Sequence, residues 1–519
     1  MKSLKRKYVW IWPSLIIFLG ITLLYYENYQ KVTEPPSEEW SRELELGLTP
    51  STNDPVVKET ESGIDAAYLT NHGVHKISYN ENLTREKESS FSIPYNKWTK
   101  FYIDREHLIY SDYYAMYNGK TNDKIADINQ FIPLEDSIIF QENLDVNLYD
   151  PATSESAHLL TLENEQMKLH TFETQENTYL LTEYNGNGNT ELTFYDISSN
   201  EIDKIGSSEF TAKNSEVVND LQFTIQDGNY ALLLTTYQKR NMSGSPTNYY
   251  YYSNQPLNEN PEFNELDFND PHGSKNLSEI SDIRLNFSNN TMKMLFKGYG
   301  ETDTQYKSGR QFNIYEAELI ETSPVNVTRL SNTPESSAYP QWVNDNAIAW
   351  LDIKGDENQL LFASTDETII GKASEVSGHY FMDALGKTLG MLSYSFLTLI
   401  VALVWFIWPM VFMLFIMFGR SSALDQDRGW VFFSGASIYL LAAFFFKDRV
   451  FTPDLMARAP EYLSFLASPF IYILLFALLA YIILAVNKKS IDWSVSVKLS
   501  YFIGVHLLFI TVFFGPYLL

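Results

Sequence analysis

The chain has 519 residues, 38 Lys and Arg against 64 Asp and Glu, a formal net charge of −26 and no cysteine. The missing cysteine excludes disulfides, thiolate metal sites and cysteine nucleophiles, and the acidity repels nucleic acid and anionic lipid alike. The charge is unevenly spread. The first 26 residues hold Lys2, Lys5, Arg6 and Lys7 and no acid, residues from 388 onward hold 8 bases and 6 acids, and the stretch between holds 26 bases and 58 acids.

Residues 8–26 (YVWIWPSLIIFLGITLLYY) follow the basic tip as one apolar run with no small-residue cleavage site after it. That pattern predicts an uncleaved signal anchor over 1–26, basic end in the cytoplasm and the following chain outside. Residues 27–62, with EPPSEEW and TPSTNDP and few apolar anchors, read as an acidic linker with one short helix around 40–46.

From residue 66 a unit recurs: a short apolar strand, a polar turn, and a second strand ending in an aromatic and a polar residue. SIIFQENLDVNLYD (137–150) shows it most plainly. First strands lie at 66–70, 108–112, 137–141, 178–184, 230–237, 292–299 and 347–354. Their partners lie at 75–80, 114–119, 146–150, 192–196, 249–253, 312–316 and 359–364. The markers Tyr79, Tyr117, Tyr149, Tyr195, Tyr252, Tyr315 and Phe362 recur every 47 residues or so, the length of a four-stranded propeller blade. A lone blade cannot bury its two apolar faces, whereas blades stacked radially bury both. Residues 63–375 therefore predict an all-β extracytoplasmic propeller of about seven four-stranded blades. A β-sandwich built of hairpins is the competing arrangement.

The turn before the last first strand carries Pro340, Trp342, Asp345, Ile348, Ala349 and Trp350 in YPQWVNDNAIAW. It resembles the repeat of TolB-type, WD40-like propellers, where an aromatic precedes a Ser-Pro-Asp-Gly turn and an apolar strand. FSNNTMKMLF, FTIQDGNYALL and FETQENTYLL are similar copies, and none of the four keeps the whole Ser-Pro-Asp-Gly. The resemblance covers residues 165–366. It implies a fold, and binding of partners or substrates in front of another functional unit, rather than an activity.

Two hairpins are long. Residues 239–248 (KRNMSGSPTN) and 300–310 (GETDTQYKSGR) occupy the same position in adjacent units. Lys239, Arg240, Lys307 and Arg310 form a candidate partner-docking patch at one rim, or two solvated surface loops.

Residues 376–390 form a mixed lead-in, and 391–519 predict a four-helix transmembrane region. Its first run, 391–418, has no charge in 28 residues and spans about 42 Å as a helix, so it must tilt, kink or project, with Pro409 as the kink point. Further spans are expected at 430–446, 462–486 and 501–519. With the anchor this makes five spans in the cell membrane, N-terminus in the cytoplasm and C-terminus outside.

No HExxH, EF-hand loop, GxSxG or phosphate-binding glycine loop occurs, which leaves no catalytic, metal or cofactor site to name. His506 is the only ionisable residue deep in a predicted span and the candidate intramembrane polar group. Asp383 and Lys387, four apart, read as a surface ion pair.

The expectation is a non-enzymatic protein of a bacterial cell surface with no cofactor. Its propeller binds or senses a protein, peptide or wall polymer, and its helices meet the bilayer and a possible membrane-protein partner. An accessory subunit of a transport or assembly complex is the alternative, and an extracytoplasmic hydrolase ranks last.

Overall fold

The architecture comes from a computed structural model. It describes residues 10–518 apart from 175, 187, 199–201, 214–215, 239–247, 289–290, 305–308, 321–322, 356 and 488–491. The chain divides into two compact units, one of residues 34–302 and 310–375, the other of 1–33, 303–309 and 376–519.

The first unit is a ring of seven four-stranded antiparallel sheets. Six are consecutive in sequence: blade 1 over 56–91, blade 2 over 100–127, blade 3 over 130–161, blade 4 over 168–210, blade 5 over 216–265 and blade 6 over 278–329. Blade 7 is composite. Strands 336–344, 347–353 and 358–364 take their outermost partner from the other end of the unit, Leu44–Thr49, paired from Leu44 opposite Phe362 to Thr49 opposite Asn358.

Seven apolar clusters hold the ring, one between each adjacent pair of blades. The cluster that closes it joins Val57, Ile64 and Tyr68 of blade 1 to Leu46, Leu351 and Phe362 of blade 7. Each second strand has blades on both faces, so Leu108–Ser111 is buried at all four positions and Ala347–Asp352 at all six. Strands covered on both sides read as unbroken apolar runs, which is why they stand out in the sequence. The Asp227-Gly228 hairpin has φ of 50° and 77°, the left-handed pair that a two-residue primed turn demands.

The linker expected over 27–62 is corrected at three places. The first helix runs on to Val32, and Leu44–Thr49 and Val56–Thr60 are propeller strands. In place of a helix at 40–46, Trp40 is buried between blades 6 and 7 and the chain then extends. An outermost strand buries one face only, so Leu46 and a few polar neighbours suffice to make one, and composition alone resembles a linker.

The second unit contains the helices Ile11–Val32, Gly378–Gly419, Gly429–Phe445, Ser468–Val486 and Val495–Phe514. Four are long and apolar enough to cross a membrane, and Gly429–Phe445, at 17 residues, is shorter. The lead-in at 376–390 is helical. Ser377 caps Tyr380 N–H, and the helix then runs 42 residues, about 63 Å, with Pro409 inside it. Polar contacts tie the first helix in: Asn28 Nδ2 donates to Thr388 Oγ1 at 3.0 Å, and the Glu27 carboxylate accepts from Tyr462 and Tyr517 hydroxyls at 2.5 and 2.6 Å.

Candidate functional site: the channel of the ring

Lys239, Arg240 and Lys307 lie outside the described residues. Arg310 begins the third strand of blade 6, where its Nη2 donates to the Asn276 and Tyr299 carbonyls at 3.0 and 2.7 Å and its guanidinium lies 4.9 Å over the Tyr299 ring. It braces the base of the long hairpin.

His506 is fully buried in Val495–Phe514. Its Nε2 lies 3.0 Å from the Ile473 carbonyl, which can only accept, so Nε2 carries the proton. Nδ1, 2.7 Å from the Tyr439 hydroxyl, then accepts. This neutral ring fastens three helices together. Replacing it with leucine strands the Tyr439 hydroxyl, and a loss of about 1–3 kcal/mol is expected. The thermal midpoint of the detergent-solubilised protein should fall accordingly, and an unchanged midpoint would contradict the fastening role. Asp383 pairs with His379 at 3.1 Å, and Lys387 is buried and donates to the Asp303 carbonyl, so the expected surface pair is replaced by two separate contacts.

The site the structure adds is the channel. Residues on or next to the innermost strands of blades 1–4, 6 and 7 line a cavity of about 1140 Å³, with Asp54, Glu59, Glu135, Glu173 and Asp345 against Lys58, Lys100 and Arg284 on its wall. Charged and apolar residues mix along these strands, as in Val56–Thr60 and Lys100–Ile103, and that composition hides them in the sequence beside the apolar runs they precede.

Where blades 6, 7 and 1 meet, the wall is irregular. The inner strand of blade 6 shifts register between Ser278 and Arg284, with Glu279 and Asp282 at φ of 51° and 52°. That of blade 7 shifts between Ala338 and Gln341, with Tyr339 at φ 54° directly before Pro340. A tyrosine in the left-handed region before proline is a costly conformation. Asp282 supports it by accepting the Tyr339 N–H at 3.1 Å. Bulges of this kind re-aim side chains and are frequent beside functional sites.

Cross-blade contacts fix the same corner. Arg284 Nη2 meets Asp54 Oδ2 at 2.5 Å, Gln341 Nε2 donates to the Pro55 carbonyl at 3.0 Å, and Asn344 Nδ2 donates to Glu59 Oε1 at 2.8 Å. Across the channel, Glu173 accepts the Glu135 N–H at 3.1 Å. The Glu173 side chain is exposed to the channel, yet partial desolvation by the wall around it raises its carboxyl above the ordinary carboxylate range, and the charges of Glu135 and Asp136 add to the rise. The Arg284–Asp54 pair is 44% and 55% exposed, so Arg284→Ala should change stability by less than about 1 kcal/mol while altering the channel's charge. A thermal unfolding curve matching that of the unaltered protein within about that margin is the expected result.

Among the described residues no cluster of three His, Asp or Glu side chains is placed to hold a metal ion.

No family model matches the sequence, and no curated protein matches it. Solved structures do. The N-terminal domain of Nup159 matches at 11% identity and a TM-score of 0.37, covering 64% of this chain and 97% of that one. The Pan2 WD40 domain of Neurospora crassa matches at 11% and 0.35, covering 63% and 96%. An oligogalacturonate lyase in complex with manganese matches at 12% and 0.31, covering 63% and 99%. At these scores the fold rests on the seven sheets themselves, and those sheets form a seven-bladed β-propeller joined in one chain to apolar helices.

Proposed function

We propose that this is a multi-pass protein of the cell membrane whose propeller lies outside the cytoplasm and binds or senses a protein, peptide or wall polymer. The helices dock a membrane partner or relay occupancy. The observation that carries the binding reading is the channel: an open, charged cavity whose wall holds Tyr339 in a conformation that folding alone does not favour. The rim bearing the two long hairpins, with Lys239, Arg240, Lys307 and Arg310, is the docking edge in this reading. The reading includes no catalytic step.

Side chains such as Phe18, Phe396, Ile400, Phe415, Phe433, Leu441, Leu474 and Leu478 stand exposed along the helices, which supports their immersion in lipid. Lys2, Lys5, Arg6 and Lys7 before the first helix favour a cytoplasmic N-terminus.

Crosslinking the full-length protein in native membranes tests the reading. Recovery of a surface protein or polymer supports it, and a stable complex with a permease or synthase would assign the chain to a transport or assembly complex instead. A reporter fused after Leu519 should be active outside the cytoplasm only, and cytoplasmic activity would overturn the five-span topology. Turnover of a glycoside, peptide or phosphoester by the purified protein, lost on mutation of the channel, would replace binding with catalysis.

A further inference from the structure

Trp98, Tyr113 and Tyr114 stand together on blade 2, exposed by 54%, 56% and 73%. Their rings touch in series, Trp98 to Tyr113 at 5.5 Å between centroids and Tyr113 to Tyr114 at 5.1 Å. Among the described residues of the propeller, the other exposed large apolar side chains are Leu48 and Ile320. None of the three aromatics lines the channel.

Two built turns present them. Asn96 Oδ1 accepts the Trp98 N–H at 2.7 Å, and the buried Thr99 closes the same turn by accepting the Asn96 N–H at 3.0 Å. Tyr113 and Tyr114 are the central residues of the hairpin between Leu108–Ser111 and Ala115–Asn118. There Asp112 Oδ1 accepts the N–H groups of Tyr114 and Ala115 at 3.0 Å each, and its Oδ2 accepts the Tyr117 hydroxyl at 3.1 Å. Tyr113 has φ 94°, a conformation that glycine ordinarily supplies at the first central position of a two-residue hairpin. A tyrosine there strains the backbone, and with more than half of its surface exposed, packing on Trp98 and Tyr114 returns little for that strain.

We propose that this aromatic step is a binding subsite for an uncharged glycan chain, a proposal that rests on the propeller lying outside the cytoplasm. Each ring joins an apolar face to a polar tip, which suits a ligand whose surface alternates C–H faces with hydroxyl edges. The ring planes stand 45° and 89° apart, so a flat surface cannot cover all three, whereas a twisting chain of sugar rings meets each in turn. Charge selects a neutral chain. The net charge of −26 repels polyanions, and the Lys97 ammonium, 4.6 Å over the Trp98 ring, already occupies the position a cationic ligand would take.

The test is calorimetric titration of the full-length protein in detergent with two neutral probes, an N-acetylglucosamine hexamer and a β-glucan hexamer, and with polygalacturonate as the polyanion. Binding of at least one neutral probe and none of polygalacturonate is expected. Trp98→Ala and Tyr114→Ala should each weaken it about tenfold or more, with Trp98→Phe retaining most of the affinity. Tyr113→Gly should weaken binding while raising the unfolding midpoint, whereas a purely structural cluster would lose stability and leave binding unmoved. The proposal is overturned if neither neutral probe binds, or if the alanine variants bind like the unaltered protein. A protein crosslink that Trp98→Ala abolishes, without oligosaccharide binding, would assign the step to a protein surface. If the probes fail while native-membrane crosslinking still recovers a partner, this inference falls and the function proposed above stands; if both fail, both fall.

Discussion

Leu46→Asp should open the ring. Leu46 is 1% exposed and lies in the apolar cluster that joins the last blade to the first, although it is carried by the first strand after the N-terminal helix in the sequence. Its carbonyl also accepts the Tyr79 hydroxyl at 2.5 Å, a bond from blade 1 to blade 7. A carboxylate there has no counter-charge in the cluster, and a loss of about 3–5 kcal/mol is expected, a large share of the roughly 5–15 kcal/mol that holds a domain folded. Leu46→Ala removes the same contacts without burying charge and should cost about 2–5 kcal/mol. Gly47→Val tests the strand by another route, because a Cβ at Gly47 would lie 2.3 Å from the Tyr68 ring. Thermal unfolding followed by circular dichroism, with trypsin cleavage between residues 30 and 60 as a second readout, measures the effect. A variant as stable and as resistant as the unaltered protein would show that the ring closes without this strand.

Trp350→Ala should be about as damaging. The ring is fully buried between blades 6 and 7, and its loss costs about 3–5 kcal/mol through the cavity alone. The indole Nε1 also donates to Asp352 Oδ1 at 3.0 Å, which accepts the Ser337 hydroxyl at 2.9 Å as well. Burial holds the Asp352 carboxyl above the ordinary carboxylate range, against the hydrogen bonds that favour its charged form.

The pH dependence follows from that direction. The unfolded chain releases this proton near pH 4, the folded chain only at a higher pH, so the folded state binds more protons between the two. The contribution is complete below pH 4 and declines as pH rises through the elevated folded value. Asp352→Asn keeps the Oδ1 acceptor and abolishes the titration. It should match the unaltered protein at acid pH and exceed it at neutral pH. Unfolding midpoints taken from pH 4 to pH 8 check this, and parallel curves for the two proteins would refute it.

The second and third strands of all seven blades are legible in the sequence because neighbouring blades cover both their faces. The repeat at 137–150, paired from Ile138 opposite Tyr149 to Glu142 opposite Asp145, is one such hairpin. The first strands escape the same reading, since polar and apolar residues mix along them and the composition is close to that of a loop. Composition therefore does not mark Arg284, Asp282 and Tyr339 as site residues. The signal that points to the last of them is Tyr339-Pro340 itself, an aromatic before proline inside a strand that pairs irregularly. The glycan subsite was hidden for another reason. Trp98, Tyr113 and Tyr114 are ordinary aromatics until two separate turns bring them together and leave them exposed.

A repeat of about seven units and the apolar helices are legible in the sequence, because both are written in runs of adjacent residues whose burial or uncharged length is a local property. The exact blade count, the closure of the ring, the lining of its channel and the role of His506 emerge from the folded chain. Those answers depend on pairs far apart in the chain, Leu44 with Phe362, Asp54 with Arg284, Tyr439 with His506, and on which face of a half-buried strand turns inward. Composition carries no record of such pairings. They are set by how the blades and helices pack.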